Sequence, residues 1–244
     1  MKLLLIGATG QMGQVVANLV TETDHSIVAG VAEESVTDYT FPVYQKAAEV
    51  AEDYDGIIDF SSPDMLEALL ALEKPIVIAS TGHDDNNLAK ITEASKHTPI
   101  LFSGNLSLGV NVMELVVEKL AHLLADFDIE IIEKHHRYKK DAPSGTAKML
   151  FNAANKGRNN DLQEVDGRSG ITDGRESKEV GVSSIRGGPI VGEHSVIFAG
   201  EDEILEIKHT ASSKKIFANG AIKAAAFLLT QEAGLFDMNE VLEG

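Results

Sequence analysis

Continuous apolar runs alternate with amphipathic segments in the N-terminal part of the chain. Short runs of this kind are typical of strands buried on both faces, and apolar residues at helical spacing are typical of helices that cover a sheet. The predicted strands are Leu3–Ile6, Ile27–Ala32, Gly56–Phe60, Pro75–Ser80 and Pro99–Phe102. The helices predicted between them are Gln11–Thr21, Ala47–Glu52, Asp64–Leu72 and Asp84–Lys96. This alternation predicts a doubly wound parallel sheet with right-handed crossovers, and therefore an α/β fold.

The pattern changes after Leu106, where the long amphipathic segment Val110–Ala125 predicts a helix with no strand directly after it. The segments that follow are predicted as strand Asp128–Glu133, helix Ala142–Ala154, polar loop Lys156–Lys178, strands Val180–Arg186, Glu193–Ala199 and Glu203–His209, and helix Ile216–Leu229. They predict a C-terminal α+β domain with a mixed or antiparallel sheet. We expect one domain over residues 1–106, to which 217–244 returns, and a second over 107–216.

The chain is acidic and contains no cysteine. Its 244 residues include 21 Lys and Arg against 38 Asp and Glu, a formal net charge of −17. Such a surface repels nucleic acid and anionic membranes, so we expect neither as a partner. No apolar stretch approaches the roughly 20 residues of a membrane span, and the N-terminal run is too short for a signal peptide. We therefore expect a cytoplasmic protein.

Three glycines, Gly7, Gly10 and Gly13, lie between the first predicted strand and the first helix. Glycine at such a turn lets a diphosphate approach the N–H groups at the start of the helix, which predicts a Rossmann-like nucleotide site. An acid after the second strand, Glu33 or Glu34, would accept hydrogen bonds from ribose hydroxyls. Glu33 is the first choice, although a solvated acid pair is the simpler interpretation of these two residues alone. Because the sequence places no Lys or Arg here, we predict NADH as the preferred cofactor over NADPH.

Two further strand ends could face the nicotinamide: Ala79–Gly82 and Ser103–Ser107. Small and hydroxyl side chains at the carboxyl ends of parallel strands leave room for a flat ring. Without the glycine fingerprint, both segments would be interpreted as ordinary turns.

Positive charge is concentrated in the segment EKHHRYKKDAPSGTAKM, which runs from Glu133 to Met149. His135 and Lys139 are four residues apart, so their side chains can converge on one face. Ser144 is a candidate N-cap, and the helix that begins after it offers an anion site. This pattern favours binding of a carboxylate beside two candidate proton donors. Adjacent histidines point apart and no third ligand accompanies them, so no metal site is predicted.

A third cluster consists of Ser184–His194, which contains three glycines together with Arg186 and His194, and of Lys208–Lys215. Its spacing fits strand turns as well as a binding role, and the sequence leaves both interpretations open.

The segment E-K-H-H-R-Y-K-K-D-A-P-S-G-T-A resembles the signature of the 4-hydroxy-tetrahydrodipicolinate reductase family, also called dihydrodipicolinate reductase. Further matches over nearly the whole chain are G-A-T-G-Q-M-G, A-S-T-G, G-N-L-S-L-G-V-N, S-I-R-G-G-P-I-V-G-E-H, F-A-N-G-A-I and G-L-F-D-M. The resemblance implies NAD(P)H-dependent reduction of a cyclic imine dicarboxylate in diaminopimelate and lysine biosynthesis. It also implies a homotetramer whose C-terminal domain binds the substrate and forms the oligomer.

The resemblance assigns roles to individual positions of this chain. It implies a catalytic pair of His135 and Lys139, with substrate contacts at His136, Gly145 and Thr146. The cofactor contacts that it implies are Gly7, Ala8, Thr9, Gly10, Gln11, Met12, Glu33, Ala79, Ser80, Thr81, Ser103, Gly104, Asn105 and Leu106. Four positions depart from the family pattern. They are Gln11 and Glu34, where some members have Arg, Ser80, where Thr is common, and Lys214, where Arg is common.

Two other functions fit the same sequence features. One is a nicotinamide-dependent reductase for another small dicarboxylate such as aspartate. The other is an NAD-binding regulator without catalysis. The sequence does not decide whether His135 or Lys139 transfers the proton.

Overall fold

The computed structural model describes residues 1–34, 39–171 and 173–244. The chain divides into two units. Unit 1 consists of Met1–Leu108 and Lys214–Gly244, and unit 2 of Gly109–Ser213. In the part of the chain that the structure describes, no helix is both long and apolar enough to cross a membrane.

The described part of unit 1 contains seven strands in one sheet. They are β1 (Lys2–Ile6), β2 (Ser26–Val31), β3 (Val43–Tyr44), β4 (Gly56–Asp59), β5 (Ile76–Ile78), β6 (Pro99–Phe102) and β12 (Gly234–Phe236). Its helices are α1 (Gln11–Val20), α2 (Leu66–Leu70), α3 (Asp85–Ala94), α6 (Lys215–Leu228) and α7 (Met238–Glu243). All strand pairs are parallel, in the order β12-β6-β5-β4-β1-β2-β3. This confirms the predicted doubly wound parallel sheet.

Both faces of this sheet are buried, which explains its continuous apolar strands. Leu3 and Leu5 of β1 belong to a core with residues of α1 and α6, while Leu4 and Ile6 belong to a second core with residues of α2 and α3. β1 has β2 on one side and β4 on the other, so the strand order reverses beside it. In open α/β sheets, ligands bind at the carboxyl ends of the strands near such a reversal.

Among the described residues, unit 2 contains a five-stranded sheet and two helices. The helices are α4 (Leu108–Leu123) and α5 (Gly145–Gly157), and the strands are β7 (Asp128–His135), β8 (Gln163–Asp166), β9 (Glu179–Arg186), β10 (Gly192–Ala199) and β11 (Ile204–Ala211). The order is β11-β10-β7-β9-β8. β10 is antiparallel to β11 and β7, while β9 is parallel to β7 and β8. The sheet is therefore mixed, as predicted.

Several short elements differ from the predictions. β8 lies within the segment that we predicted as loop Lys156–Lys178. Its residues are mostly exposed, and it is an edge strand held by backbone pairing to β9, so it carries no apolar pattern. β3, β12 and α7 were also not predicted, because they span only two, three and six residues. The helix predicted at Ala47–Glu52 is only a 3₁₀ turn, Ala47–Glu49.

Candidate active site

The turn between β1 and α1 carries the predicted glycine fingerprint. Gly7 has a φ of +75°, which glycine adopts without a steric penalty. A Cβ atom at Gly13 would lie 2.2 Å from the carbonyl oxygen of Gly7, so α1 can begin this close to the strand only with glycine there. Gly10 is the N-cap of α1 and has no side chain to accept from the first-turn N–H groups. The turn therefore presents backbone donors that suit a diphosphate.

A cavity of about 520 Å³ lies along this turn. Gly7, Thr9 and Gly10 line it together with both Glu33 and Glu34. The structure therefore places the glycine turn and the predicted ribose acid along one cavity. Because Glu33 and Glu34 both line it, the structure does not decide between them. Glycines that leave space, N–H donors and an adjacent carboxylate fit the diphosphate and ribose of a dinucleotide.

Three of the turn residues predicted to contact the cofactor, Ala8, Gln11 and Met12, lie outside the lining of this cavity. The carbonyl oxygen of Ala8 accepts a hydrogen bond from the Tyr39 hydroxyl at 2.8 Å. The side-chain oxygen of Gln11 accepts one from the ammonium group of Lys214.

A second cavity of unit 1, of about 260 Å³, contains most of the predicted nicotinamide neighbours. It is lined by Met12, Phe60, Ala79, Ser103, Gly104, Leu106, Lys214 and Phe217. Sequence reasoning gave no site role to Phe60, Lys214 or Phe217. The departure of Lys214 from the family pattern was the one signal that pointed to it.

Ser80 and Asn105 hold loops in place instead of lining this cavity. The Ser80 hydroxyl donates to the buried carboxylate of Asp59 at 2.7 Å and lies 2.9 Å from Nε2 of His83. The side-chain oxygen of Asn105 accepts from the backbone N–H of Ser107 at 3.0 Å. Thr81 is exposed and lies outside both linings.

In unit 2, the inward-facing positions of β7 change from apolar to polar along the strand. Ile129 and Ile131 belong to the core, and Glu133 and His135 follow at the strand period of two residues. The strand register places His194 of β10 opposite Glu133. The apolar core of unit 2 therefore ends in a cluster of polar side chains.

Glu133 is the centre of this cluster, and its side chain is 0% exposed. Its carboxylate accepts two hydrogen bonds of 2.7 Å from the Arg186 guanidinium and one of 3.1 Å from the backbone N–H of Ser144. Burial alone would raise the pKa of Glu133, but hydrogen bonds from Arg186, His135 and Ser184 outweigh it and lower the pKa to about 2. Glu133 is therefore a buried carboxylate that stays ionised.

His135 contacts two of these neighbours. Its Nδ1 lies 2.6 Å from Oε2 of Glu133, and its side chain is 12% exposed. Its ring meets the ring of His194 edge to face, with 5.1 Å between centroids. Nε2 of His194 lies 2.9 Å from the Ser144 hydroxyl.

Lys139 lies at the more open side of the cluster. Its ammonium group is 2.8 Å from both carboxylate oxygens of Asp141, and this contact lowers the pKa of Asp141. Arg186 also donates to the backbone carbonyl of Asp141 at 2.7 Å. The segment that carries Lys139 is thus fixed to the same guanidinium that pairs with Glu133.

The N-terminus of α5 is anchored to this cluster through its N-cap, Ser144. The Ser144 hydroxyl accepts from the backbone N–H of Ala147 at 3.2 Å, as predicted for an N-cap. Gly145 and Thr146 occupy the first turn of α5, at the positive end of the helix dipole. Lys139 and the start of α5 therefore belong to one fixed region of unit 2.

The contacts of His136 differ from those of His135. Its ring lies beside Tyr138, with 6.2 Å between centroids, and within the described residues its buried Nδ1 has no hydrogen-bond partner. A substrate contact at His136 stays a prediction.

The sequence assigned no role to Glu133 and left the role of Arg186 open. A period-of-two pattern that continues Ile129 and Ile131 indicates that Glu133 points inward. The partner Arg186 depends on strand pairing between β7 and β9, which the sequence does not reveal.

His194 should make the folded state sensitive to mild acid. Burial, followed by the nearby His135, lowers the pKa of His194 from 6.5 to about 4. Between these two values the unfolded chain binds a proton that the folded chain does not, so stability should fall as the pH falls through this window. The expected loss approaches about 3 kcal/mol, and urea unfolding at successive pH values measures it.

The variant His194→Gln should flatten this pH dependence, whereas His122→Gln, at an exposed position of α4, should retain it. Equal pH dependence in wild type and His194→Gln would contradict the assignment.

Comparisons with known proteins agree with this architecture. Residues 1–106 match the family model "Dihydrodipicolinate reductase, N-terminus", and residues 109–242 match "Dihydrodipicolinate reductase, C-terminus". A curated 4-hydroxy-tetrahydrodipicolinate reductase from Brachyspira hyodysenteriae is 46% identical, over 98% of this chain and 99% of the relative. The corresponding reductase from Caldanaerobacter subterraneus is 44% identical, over 99% of this chain and 98% of the relative.

Solved structures agree at the level of the fold. The dipicolinate-bound dihydrodipicolinate reductase from Paenisporosarcina sp. TG-14 has a TM-score of 0.81 and 21% identity, with 97% of each chain covered. The resemblance predicted from the sequence is confirmed by the family models and by the full-length relatives. This chain is an oxidoreductase that belongs to the dihydrodipicolinate reductase family, whose curated relatives are named 4-hydroxy-tetrahydrodipicolinate reductases.

Proposed function

We propose that the chain reduces 4-hydroxy-tetrahydrodipicolinate, by way of dihydrodipicolinate, to tetrahydrodipicolinate with NAD(P)H in diaminopimelate and lysine biosynthesis. The observation that carries this proposal is the polar cluster of unit 2. There the buried carboxylate of Glu133 contacts His135 and accepts a hydrogen bond from the N–H of Ser144 at the start of α5. Its partner Arg186 also donates to the backbone of Asp141 in the segment that carries Lys139. An anion site of this kind suits a small dicarboxylate.

The residues of unit 1 support the binding of a nicotinamide dinucleotide. The N–H groups at the start of α1 would hold the diphosphate, and Glu33 would accept hydrogen bonds from the ribose hydroxyls. Ala79, Ser103 and Gly104 line the second cavity and would leave room there for the flat nicotinamide ring. When bound, the reduced nicotinamide supplies a hydride to the unsaturated ring of the substrate.

The residues of unit 2 bind the substrate and supply the proton. The N–H groups of Gly145 and Thr146 hold a substrate carboxylate, and Lys139 exchanges its contact with Asp141 for one with that carboxylate. Protonated His135 or Lys139 then gives its proton to the ring atom that has gained the electron pair, and it recovers a proton from solvent. Positioning by these residues accounts for much of the rate, since the hydride chemistry belongs to the cofactor.

An assay of NADH oxidation tests this function. We expect NADH oxidation that depends on the product of dihydrodipicolinate synthase, and no reduction of NAD⁺ when aspartate is the substrate. Turnover with aspartate would assign the chain to a different dicarboxylate, and cofactor binding without turnover of either substrate would indicate a regulator.

The cofactor cavity should favour NADH over NADPH. Its described lining contains the carboxylates of Glu33, Glu34 and Asp64 and neither Lys nor Arg, and these charges repel a 2′-phosphate. We expect kcat/KM to be higher with NADH by at least about tenfold, equivalent to about 1.4 kcal/mol. Steady-state kinetics with both cofactors measure this ratio.

The variant Glu34→Arg should narrow the preference, and Glu49→Arg, which makes the same charge change at an exposed site, should not. A higher kcat/KM with NADPH in the wild type would contradict the prediction.

The homotetramer and the cytoplasmic location also stay predictions. Light scattering after size-exclusion chromatography tests the homotetramer.

A further inference from the structure

The two ring nitrogens of His135 have different surroundings. Nδ1 lies 2.6 Å from Oε2 of Glu133. Nε2 faces Gly192 of β10, where an added Cβ atom would lie only 3.1 Å from it. One nitrogen is therefore tied to an anion, while the other lies against a position that has no side chain.

The group at Nδ1 can only accept a hydrogen bond. Arg186 donates two hydrogen bonds of 2.7 Å to Glu133, and the backbone N–H of Ser144 donates a third. A carboxylate with these partners and a pKa of about 2 is ionised at neutral pH and has no proton to donate. A short contact between it and Nδ1 requires an N–H on Nδ1.

We infer that Glu133 is a positioning residue that keeps a proton on Nδ1 of His135, so that Nε2 is the atom that exchanges a proton with the substrate. The structure also assigns a role to Gly192, whose missing side chain keeps the space at Nε2 open. The inference rests on the proposed catalytic role of His135. It adds which atom acts and which two residues determine that choice.

Other charged and titratable groups around His135 do not compete for its Nδ1. Arg186 of β9 pairs with Glu133 and the carbonyl oxygens of Ile185 and Asp141. His194 of β10 is kept neutral by a pKa of about 4, and burial also lowers the pKa of His209 on β11. Lys139 pairs with Asp141. Within the part of the chain that the structure describes, Glu133 is the anion that contacts the ring.

Imidazole nitrogen NMR of the wild-type protein tests the inference without turnover. The His135 signals are identified by their loss in His135→Asn. For neutral His135 we expect a protonated Nδ1 and an unprotonated Nε2. The opposite tautomer in the wild type would overturn the inference, even if the enzyme turns over normally. Failure of the substrate assay would instead overturn the proposed function and leave this spectrum unaffected.

In the variant Glu133→Gln the proton of neutral His135 should no longer be fixed on Nδ1, because an amide can donate a hydrogen bond to this nitrogen as well as accept one from it. We expect kcat to fall by about 10²-fold or more with a smaller change in KM, as for other residues that orient a catalytic histidine. The control Glu193→Gln removes a carboxylate from the same sheet that pairs with Lys208 and Lys134, and it should keep the wild-type spectrum and kcat. An unchanged tautomer and kcat in folded Glu133→Gln would overturn the role of Glu133.

The variant Gly192→Ala tests the other nitrogen and does not disturb the buried ion pair. Gly192 is not among the glycines with positive φ, so alanine fits its backbone. We expect kcat to fall by about tenfold, with the Nδ1-protonated tautomer retained. In the control Gly187→Ala the added Cβ atom meets nothing within 4 Å, and kcat should stay near the wild-type value. Equal kcat in wild type and Gly192→Ala would overturn the role of Gly192.

Discussion

Replacement of Lys139 by alanine should lower kcat by at least about 100-fold while the fold is retained. Lys139 lies four residues after the end of β7, and its ammonium group pairs with the exposed carboxylate of Asp141 and not with a buried one. The substitution therefore removes a positive charge and a proton donor beside the start of α5 without leaving a buried charge unpaired. Steady-state kinetics with saturating NADH measure the effect, and thermal unfolding checks the fold.

Lys140→Ala is the matched control, since it removes the same charge at the next, exposed position. Its kcat should remain near the wild-type value. A normal kcat in Lys139→Ala, with only KM raised, would contradict a role in proton transfer and leave Lys139 as a binding residue.

Replacement of Arg186 by methionine should destabilise unit 2 by about 3–5 kcal/mol, because it leaves the carboxylate of Glu133 buried without its counter-ion. Urea unfolding measures this change in the free energy of unfolding. Lys178→Met is the control, since it breaks the exposed ion pair between Lys178 and Asp161 and should cost less than about 1 kcal/mol. Equal losses of unfolding free energy in the two variants would contradict the claim that the buried pair contributes more to stability than the exposed one.

The pH dependence of the Arg186→Met variant has a definite sign. In the wild type the pKa of Glu133 is lowered from 4.5 to about 2. Its ionised carboxylate therefore stabilises the folded state above pH 4.5, and this stabilisation is lost as the pH falls from 4.5 towards 2. Without Arg186, burial raises the pKa and the carboxyl takes up a proton more readily. The difference in stability between wild type and variant should therefore shrink as the solution is acidified.

The sheet of unit 1 could be predicted because both of its faces are buried, so its strands appear in the sequence as continuous apolar runs. β8 could not, since it is held mainly by backbone hydrogen bonds at a sheet edge and needs no apolar pattern. β12 could not because its three residues are too few to show a pattern. The mixed sheet of unit 2 was predicted only in outline. Its register depends on which strands meet, and that is decided by packing across the whole unit.

The candidate site could also be predicted only in part from the sequence. His135 and Lys139 belong to one short segment, and their spacing in the sequence is enough to indicate a chemical role. Arg186 and His194 reach the same cluster from β9 and β10, about 50 or more residues further along the chain, through strand pairing. Their positions follow from tertiary structure and could not be predicted from local spacing.

Titration with pyridine-2,6-dicarboxylate (dipicolinate) tests most directly the central claim that the cluster of unit 2 is the dicarboxylate site. Isothermal calorimetry on the wild type, Lys139→Ala and Lys140→Ala, each with NADH present, compares the affinities. We expect binding by the wild type and Lys140→Ala, and affinity at least about tenfold weaker in Lys139→Ala. Equal affinity in all three proteins would contradict the claim.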